Sequence, residues 1–488
     1  MSRLPDAAEI EAIIERVRRR LAVAEATGRP GRALRAAEEL EVAEELLGDG
    51  IHPTIDAAVA AARRAAEAAR DLGLEARRRI VEAIREAMTR EGERLAELAR
   101  LETGLGRTVD KIEKNRLVTT KTPGPEDLEP EAVTGDHGMV VTEYAPYGVI
   151  GAITPVTNPT STIINNSIAM LSAGNAVVFN VHPGAKRVSI ENIQLINRAI
   201  VAAGGPPDLV TAIPEPTLES AHALMAHPHV PVLLVTGGPG VVRAALKTPK
   251  KAITAGPGNP PAVVDQTADL DQAARDIVEG ASFDNNIVCV DEKTTIVVDT
   301  VADRLVQAMV SAGAYRLKEH ELRRIERLVF RELGRPGRPW PIEPRWIGQD
   351  AGRLLAEVGI DVDGDPRLLV AEVPVDHGLV WTEQMLPVMP VVRVPDVDRA
   401  IDLAVRSEHG FRHTASIHST NVETITRMAR AMNCSIFVAN GPNLAGLGAR
   451  GEGYTSFSIA SPTGEGLTRP RTFSRVRRVT VVGAMRIV

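Results

Sequence analysis

The stretch SFDNNIVCVDEKT, Ser282–Thr294, contains Cys289, one of two cysteines in 488 residues. A cysteine here admits two chemistries. As a thiolate it is a nucleophile that can form and later release a covalent adduct. As a neutral thiol it is a small hydrophobe, among the most buried residue types, at the start of an apolar strand. The window by itself favours the second. Cys434, in MNCSIFVANG, reads as a buried strand residue. His413 and His418 in FRHTASIHS are five residues apart, so a strand would turn them to opposite faces. His227 and His229 in AHPHVP have no third ligand or cysteine nearby, and no metal site is expected. GLGARG, Gly446–Gly451, has the spelling of a dinucleotide loop but does not lie between a strand and a helix. VTGGPGVVRAA, Val235–Ala245, does run from strand to helix, where backbone N–H groups can face an anion.

Such groups need a scaffold. From Met139 the chain reads strand, turn, strand through MVVTEYAPYGVIGAITP. Apolar strands then alternate with longer helical stretches: AVVFNV, LVTAIP, VPVLLVTG and PAVVDQ before Cys289, and KTTIVVD, RLLVAEV, MPVVRV, HTASIHS and SIFVANG after it. That alternation predicts an α/β fold with mostly parallel, doubly wound sheets in two successive domains. Alanine-rich helices are expected at Ile55–Leu72 and Glu75–Glu102, and SRVRRVTVVGAMRIV closes the chain as a strand. Further upstream, Ala8, Ile10, Ile13, Ile14, Val17 and Leu21 recur at helical spacing, and ATGRPGR then breaks the pattern like a linker.

Composition narrows the classes. Hydrophobic residues at 44% and charged residues at 25% are ordinary globular usage. A formal charge of −6 and 3% aromatics argue against a nucleic-acid binder. Two cysteines cannot build a disulfide framework, which points to a reducing interior. No apolar run approaches the roughly 18 residues that span a bilayer. The N-terminal sequence lacks the apolar core of a signal peptide. The expectation is a soluble intracellular protein with no membrane or nucleic-acid partner.

Several long stretches, in one order, resemble a known family. APYGVIGAITPVTNPTSTIINNSIAMLSAGNAVVF, LLVTGGPGVV, AGPGNPPAVVD, ASFDNNIVCVDEK, WTEQMLPVMPVVRV, HTASIHS and PTGEGLTRPRTFSRVRRV are similar to the CoA-acylating aldehyde dehydrogenases, in particular the propionaldehyde and acetaldehyde dehydrogenases of bacterial microcompartments. The resemblance runs from Ile55 to Val488. It implies the aldehyde dehydrogenase fold and reverses the reading of Cys289, which becomes the nucleophile that adds to an aldehyde carbonyl. By motif position the amide of Asn158 in TPVTNP would donate to the oxyanion, against its plain reading as an Asn-Pro turn residue. His413 would be a possible auxiliary, helping to deprotonate Cys289 or CoA, against a structural histidine. For NAD, the resemblance implicates Thr154, Pro155, His182, Pro183, Thr236, Gly237, Gly238, Val241, Gly256, Glu383 and Leu386, with Glu383 on the nicotinamide ribose. The NVHPGAKR stretch carries neither lysine nor acid at the usual adenosine-ribose position, so the expectation only leans to NAD over NADP.

Hydrolytic relatives activate water with a glutamate in a stretch spelled like ELGGK. Here the matching stretch is TAGPGNPP, with Ala255 where that glutamate would fall and no acid between Lys251 and Asp265. Thiolysis by coenzyme A is therefore expected, since a thiol of pKa about 8–9 needs less help than water. The rivals are hydrolysis to the free acid and an inactive cargo or scaffold protein.

The expected organisation is an amphipathic encapsulation helix at 1–25, a linker with a helix at 26–52, an NAD-binding domain at 53–258 interrupted by strands at 135–146, and a catalytic domain at 259–455. Segments 135–146 and 456–488 would bridge subunits of a homodimer or dimer of dimers. The N-terminal helix would meet a shell or co-packaged enzyme in the lumen of a cytoplasmic microcompartment.

Overall fold

The computed structural model describes residues 47–486. The expected encapsulation helix, and the linker up to residue 46, lie outside the described residues. Helices Ile55–Ala68 and Leu74–Thr103 occupy the two alanine-rich stretches. Thr54 caps the first by accepting from the Ala57 N–H, and Gly104 ends the second at φ 69°, a left-handed turn that favours glycine.

Strands β1 (Glu131–Gly135) and β2 (Gly138–Pro146) form a hairpin whose pairing begins at Glu131 opposite Thr142, before the expected start at 135. Five strands then build a parallel sheet: β3 (Val149–Ile153), β4 (Ala176–Asn180), β5 (Val210–Ala212), β6 (Val232–Thr236) and β7 (Lys251–Ala255). Their order is β5-β4-β3-β6-β7. β3 and β4 are buried at every residue, as helices on both faces of a parallel sheet require. β7 opens on an exposed lysine and ends before a Gly-Pro loop, so its sequence hardly announces a strand.

Seven more strands form the second parallel sheet: β8 (Pro261–Val264), β9 (Thr294–Val298), β10 (Ala314–Arg316), β11 (Leu368–Glu372), β12 (Val388–Val394), β13 (Thr414–His418) and β14 (Ile436–Ala439), in the order β10-β11-β12-β9-β8-β13-β14. Alternate side chains build separate cores on its two faces: Val263, Ile296 and Leu369 on one, Val264, Val297 and Leu368 on the other. Two short strands, β15 (Ile459–Ala460) and β16 (Gly466–Leu467), precede β17 (Ser474–Val482), which returns to pair antiparallel with β2. The outcome is the expected α/β class with two doubly wound sheets. No helix among the described residues is long and apolar enough to cross a membrane.

Candidate active site

Cys289 does not begin a strand. β9 starts only at Thr294, and Cys289 sits half-buried on the turn between the helix Leu270–Ser282 and that strand. The turn is unusual in its backbone. Asp284, Asn285 and Asn286 have φ of 45°, 56° and 67°, three successive residues in the left-handed region, which aspartate and asparagine enter more readily than other side chains. Each is tied down by its side chain. Asn285 donates to the Gly348 carbonyl, and Asn286 donates to the Ala281 and Glu292 carbonyls. Asp291 accepts from the Val288 N–H at 3.0 Å, fastening the loop on the far side of the thiol. Beneath it Lys293, with no exposed surface, gives its ammonium hydrogens to Asn286 O, Asn286 Oδ1 and Val288 O at 2.7, 2.8 and 3.2 Å.

The loop after β7 brings the other candidates to this turn. The Gly258 N–H donates to Glu383 Oε1 at 3.1 Å. A Cβ on Gly258 would stand 2.6 Å from the Cys289 carbonyl oxygen and 3.1 Å from the His413 ring. One glycine thus touches the neighbourhoods of Cys289, Glu383 and His413. Burial and then the Glu383 carboxylate push the Cys289 thiol up to about 12, against the pull of Lys293. Burial lifts Glu383 to about 7. Burial, aided by Lys293, lowers His413 to about 4, so its imidazole is neutral near pH 7. His413 Nδ1 contacts Thr414 Oγ1 at 2.8 Å, while Nε2 is buried with no hydrogen-bond partner. His418 lies elsewhere, 3.9 Å from Asp276.

Asn158 stands at the position that caps the helix Pro159–Ser172, yet its side chain makes no cap hydrogen bond. Its Oδ1 instead accepts from Lys114 Nζ at 2.7 Å, and its Nδ2 donates to Thr157 Oγ1 at 3.1 Å. Lys114 also pairs with Asp284, the first of the left-handed residues before Cys289. The Asn-Pro turn reading is therefore incomplete, because the amide is spent on a buried cation that leads back to the cysteine's own turn.

The remaining candidates collect at the carboxyl ends of the first sheet. Thr154 and Pro155 follow β3, His182 and Pro183 follow β4, Thr236 ends β6 ahead of Gly237 and Gly238, and Gly256 follows β7. The strand order reverses at β3, and the crevice there is where doubly wound sheets take up ligands. Thr154 Oγ1 is buried without a partner, and the helix Pro239–Leu246 opens at Gly238 with no side-chain cap, an end that can face an anion. A Cβ on Gly237 would meet the Val241 side chain at 2.9 Å, so a larger residue there would press on the start of the helix. These features fit a dinucleotide. Leu386 differs: it lies wholly within the apolar core of the second sheet. Ala255, which the resemblance sets in place of the hydrolytic glutamate, ends β7.

Lys111, Lys114, Asp284 and Lys293 were not among the candidate residues. Only the structure singles out the lysines, through a helix turned contrary to its polarity. On Thr108–Lys121, Val109 is 72% exposed whereas Lys111 and Lys114 are each 2% exposed. A cleft of about 770 Å³ borders that helix, lined by Leu117, Phe283, Leu444 and Phe457 among others, but its walls include neither Cys289 nor Asn158. No cluster of metal-ligating side chains occurs among the described residues.

The model of the aldehyde dehydrogenase family matches residues 48–319 and 366–454. The acetaldehyde dehydrogenase (acetylating) EutE of Salmonella typhimurium is 48% identical over 440 residues, covering 90% of this chain and 94% of that protein. The crystal structure of Rhodopseudomonas palustris propionaldehyde dehydrogenase, with bound CoA and an acylated cysteine, superposes with a TM-score of 0.87 at 47% identity, over 91% of this chain and 100% of that one. A propionaldehyde dehydrogenase from the Clostridium phytofermentans fucose utilisation microcompartment gives 0.88 at 42% identity, over 90% and 100%.

Proposed function

The chain belongs to the aldehyde dehydrogenase family, and on that premise we propose that it oxidises a short-chain aldehyde to the acyl-CoA through Cys289. It is a CoA-acylating enzyme that uses NAD and coenzyme A. The observation that carries the reading is the meeting of Cys289, Glu383 and His413 around Gly258, beside a strand that ends in Ala255 rather than an acid.

The Cys289 thiolate adds to the aldehyde carbon, and the developing oxyanion takes hydrogen bonds from the Asn158 amide and the Cys289 backbone N–H. A dinucleotide would be held by Thr154, Pro155, His182, Pro183, Thr236, Gly237, Gly238 and Gly256 at the strand ends and Val241 on the helix Pro239–Leu246, with Glu383 towards its ribose, and would supply the hydride acceptor. Cys289 would then carry the acyl group as a thioester. An auxiliary role for His413 is supported by its neutral, unpartnered Nε2 and by the Gly258 loop against which both its ring and Cys289 pack. The thiol of coenzyme A then displaces Cys289.

The domain assignment follows the sheets. Strands β3 to β7 lie within 53–258, which we assign to NAD binding, and β8 to β14 within 259–455, which we assign to catalysis. The β1–β2 hairpin and the segment 456–488 project β17, whose Val476, Val479 and Val482 are 66%, 60% and 80% exposed, and this open strand supports pairing with a second copy. Microcompartment relatives and the apolar stripe between Ile10 and Leu21 support residence in a compartment lumen, with residues 1–25 meeting a shell or co-packaged enzyme. The decisive experiment is a panel of aldehydes with and without CoA, following NADH and identifying the product by mass. Acyl-CoA supports the reading, and sustained free acid without CoA would replace it with the hydrolytic one.

A further inference from the structure

The helix Thr108–Lys121 turns two lysines inward, and an ammonium out of water is costly unless it is paired and hydrogen-bonded. Asp284 is the partner of both. Its carboxylate takes Lys111 Nζ at 3.0 Å, Lys114 Nζ in direct contact, and the Arg107 backbone N–H at 2.7 Å. Gly106, at φ 71°, makes room, since a Cβ there would fall 1.9 Å from Asp284 Oδ1. Lys111 spends its charge on Asp284, whereas Lys114 also reaches Asn158 Oδ1 at 2.7 Å and the Thr157 carbonyl at 3.4 Å.

This difference has a chemical consequence. A planar amide can flip, exchanging its oxygen and nitrogen, and only the nitrogen can donate to an oxyanion. A cation against one end of the amide selects the oxygen for that end, because the flipped form would set NH₂ against an ammonium. We propose that Lys114, anchored by Asp284, is a positioning residue that holds the Asn158 amide in the orientation that presents its N–H to the oxyanion on Cys289. The anchor belongs to the nucleophile's own turn, so donor and thiol are registered to a single carboxylate. The inference rests on the oxyanion role assigned above to Asn158.

The test uses the full-length enzyme and the pre-steady-state NADH burst, which reports acylation of Cys289. Rates are expressed per subunit whose Cys289 is alkylated by iodoacetamide, so that partial misfolding does not count as lost chemistry. Lys114→Met should slow the burst about tenfold or more, bounded by the roughly 10²–10³-fold cost of losing an oxyanion donor outright. Its KM for aldehyde and its NAD affinity should stay near wild type. Lys111→Met removes the other cation from Asp284 without touching Asn158 and should slow the burst far less. In an Asn158→Ala background, Lys114→Met should cost nothing further, because its effect passes through that amide. Lys114→Leu, which also lacks a donor, carries the same expectation if the methionine variant does not fold. Equal effects of Lys111→Met and Lys114→Met, multiplicative losses in the double variant, or a wild-type burst from Lys114→Met or Lys114→Leu would each overturn the positioning role alone. A silent Asn158→Ala would overturn the oxyanion assignment and this inference with it.

Discussion

Gly258 passes so close to Cys289 that a Cβ on the glycine would stand 2.6 Å from the cysteine's carbonyl oxygen. The same loop hands its amide to Glu383, so the nucleophile's turn and the acid are set by one backbone atom group. Gly258→Ala must move the Cys289 turn, the His413 ring or the loop itself. Overpacking of this kind costs about 1–3 kcal/mol. We expect a modestly lower melting temperature and a burst rate reduced about tenfold or more, because an ångström of misplacement is expensive in catalysis. Thermal melting and burst kinetics on the same sample check this, and a variant with native kinetics would mean the close approach is only packing.

The reactivity of Cys289 should rise steeply with pH. Burial and the Glu383 carboxylate push its thiol up to about 12, so above pH 8, with Glu383 ionised, alkylation by iodoacetamide should climb about tenfold per pH unit without a plateau. Glu383→Gln removes the largest charge that raises the thiol and should speed alkylation at a given pH. A midpoint near pH 8.5 with a plateau by about pH 10 in the wild type would show that the thiol is ordinary.

Cys289→Ala should abolish turnover while leaving NAD binding and melting near wild type. Activity of that variant in the presence of CoA would remove Cys289 from the mechanism. Dinucleotide fluorescence titration alongside the activity assay separates the two properties.

Without CoA the enzyme should make one equivalent of NADH per active site and then turn over negligibly. Ala255→Glu supplies a carboxylate at the end of β7 and is expected to raise the slow hydrolytic rate, though a transplanted base seldom has the required geometry. Continuous NADH formation from aldehyde in CoA-free buffer by the unmodified chain would place it with the hydrolytic enzymes.

β17 ends a three-stranded sheet with its outer edge open, and three of its valines are solvent-exposed. Val476→Lys with Val479→Lys should lower the mass measured by light scattering towards that of one chain, while the described core keeps its melting transition. An unchanged mass would move the subunit contact elsewhere.

Deleting Met1–Glu25 should leave turnover nearly unchanged and abolish association with a shell or co-packaged enzyme. Ile13→Glu with Val17→Glu should mimic the deletion, because two charges would have to be desolvated on the apolar stripe. Loss of turnover on truncation, measured beside co-purification, would assign the segment to the enzyme body instead.

Much of the scaffold was legible in order of residues. Apolar runs such as Val149–Ile153 and Ala176–Asn180 declare buried parallel strands, because a strand covered on both faces has no polar side to show. The resemblance carried by motif order proposed Cys289, Asn158 and Glu383 as site residues, and Ala255 in place of an acid. β7 was harder to see, since its five residues include one exposed lysine and two alanines, leaving only Ile253 and Thr254 to favour a strand.

What the linear chain could not declare is which polar residues would be buried against one another. Lys114 and Asp284 are 170 residues apart, and either alone reads as a solvated surface charge. Only the packing of the helix Thr108–Lys121 against the cysteine's turn removes both from water, and that burial is what makes their pairing, and their hold on Asn158, obligatory. The same holds for the left-handed run Asp284–Asn286 and for the Cys289 thiol, half-buried on a turn instead of opening a strand. Periodicity reports which side of an element avoids water, whereas the site depends on charges brought out of water by tertiary contacts.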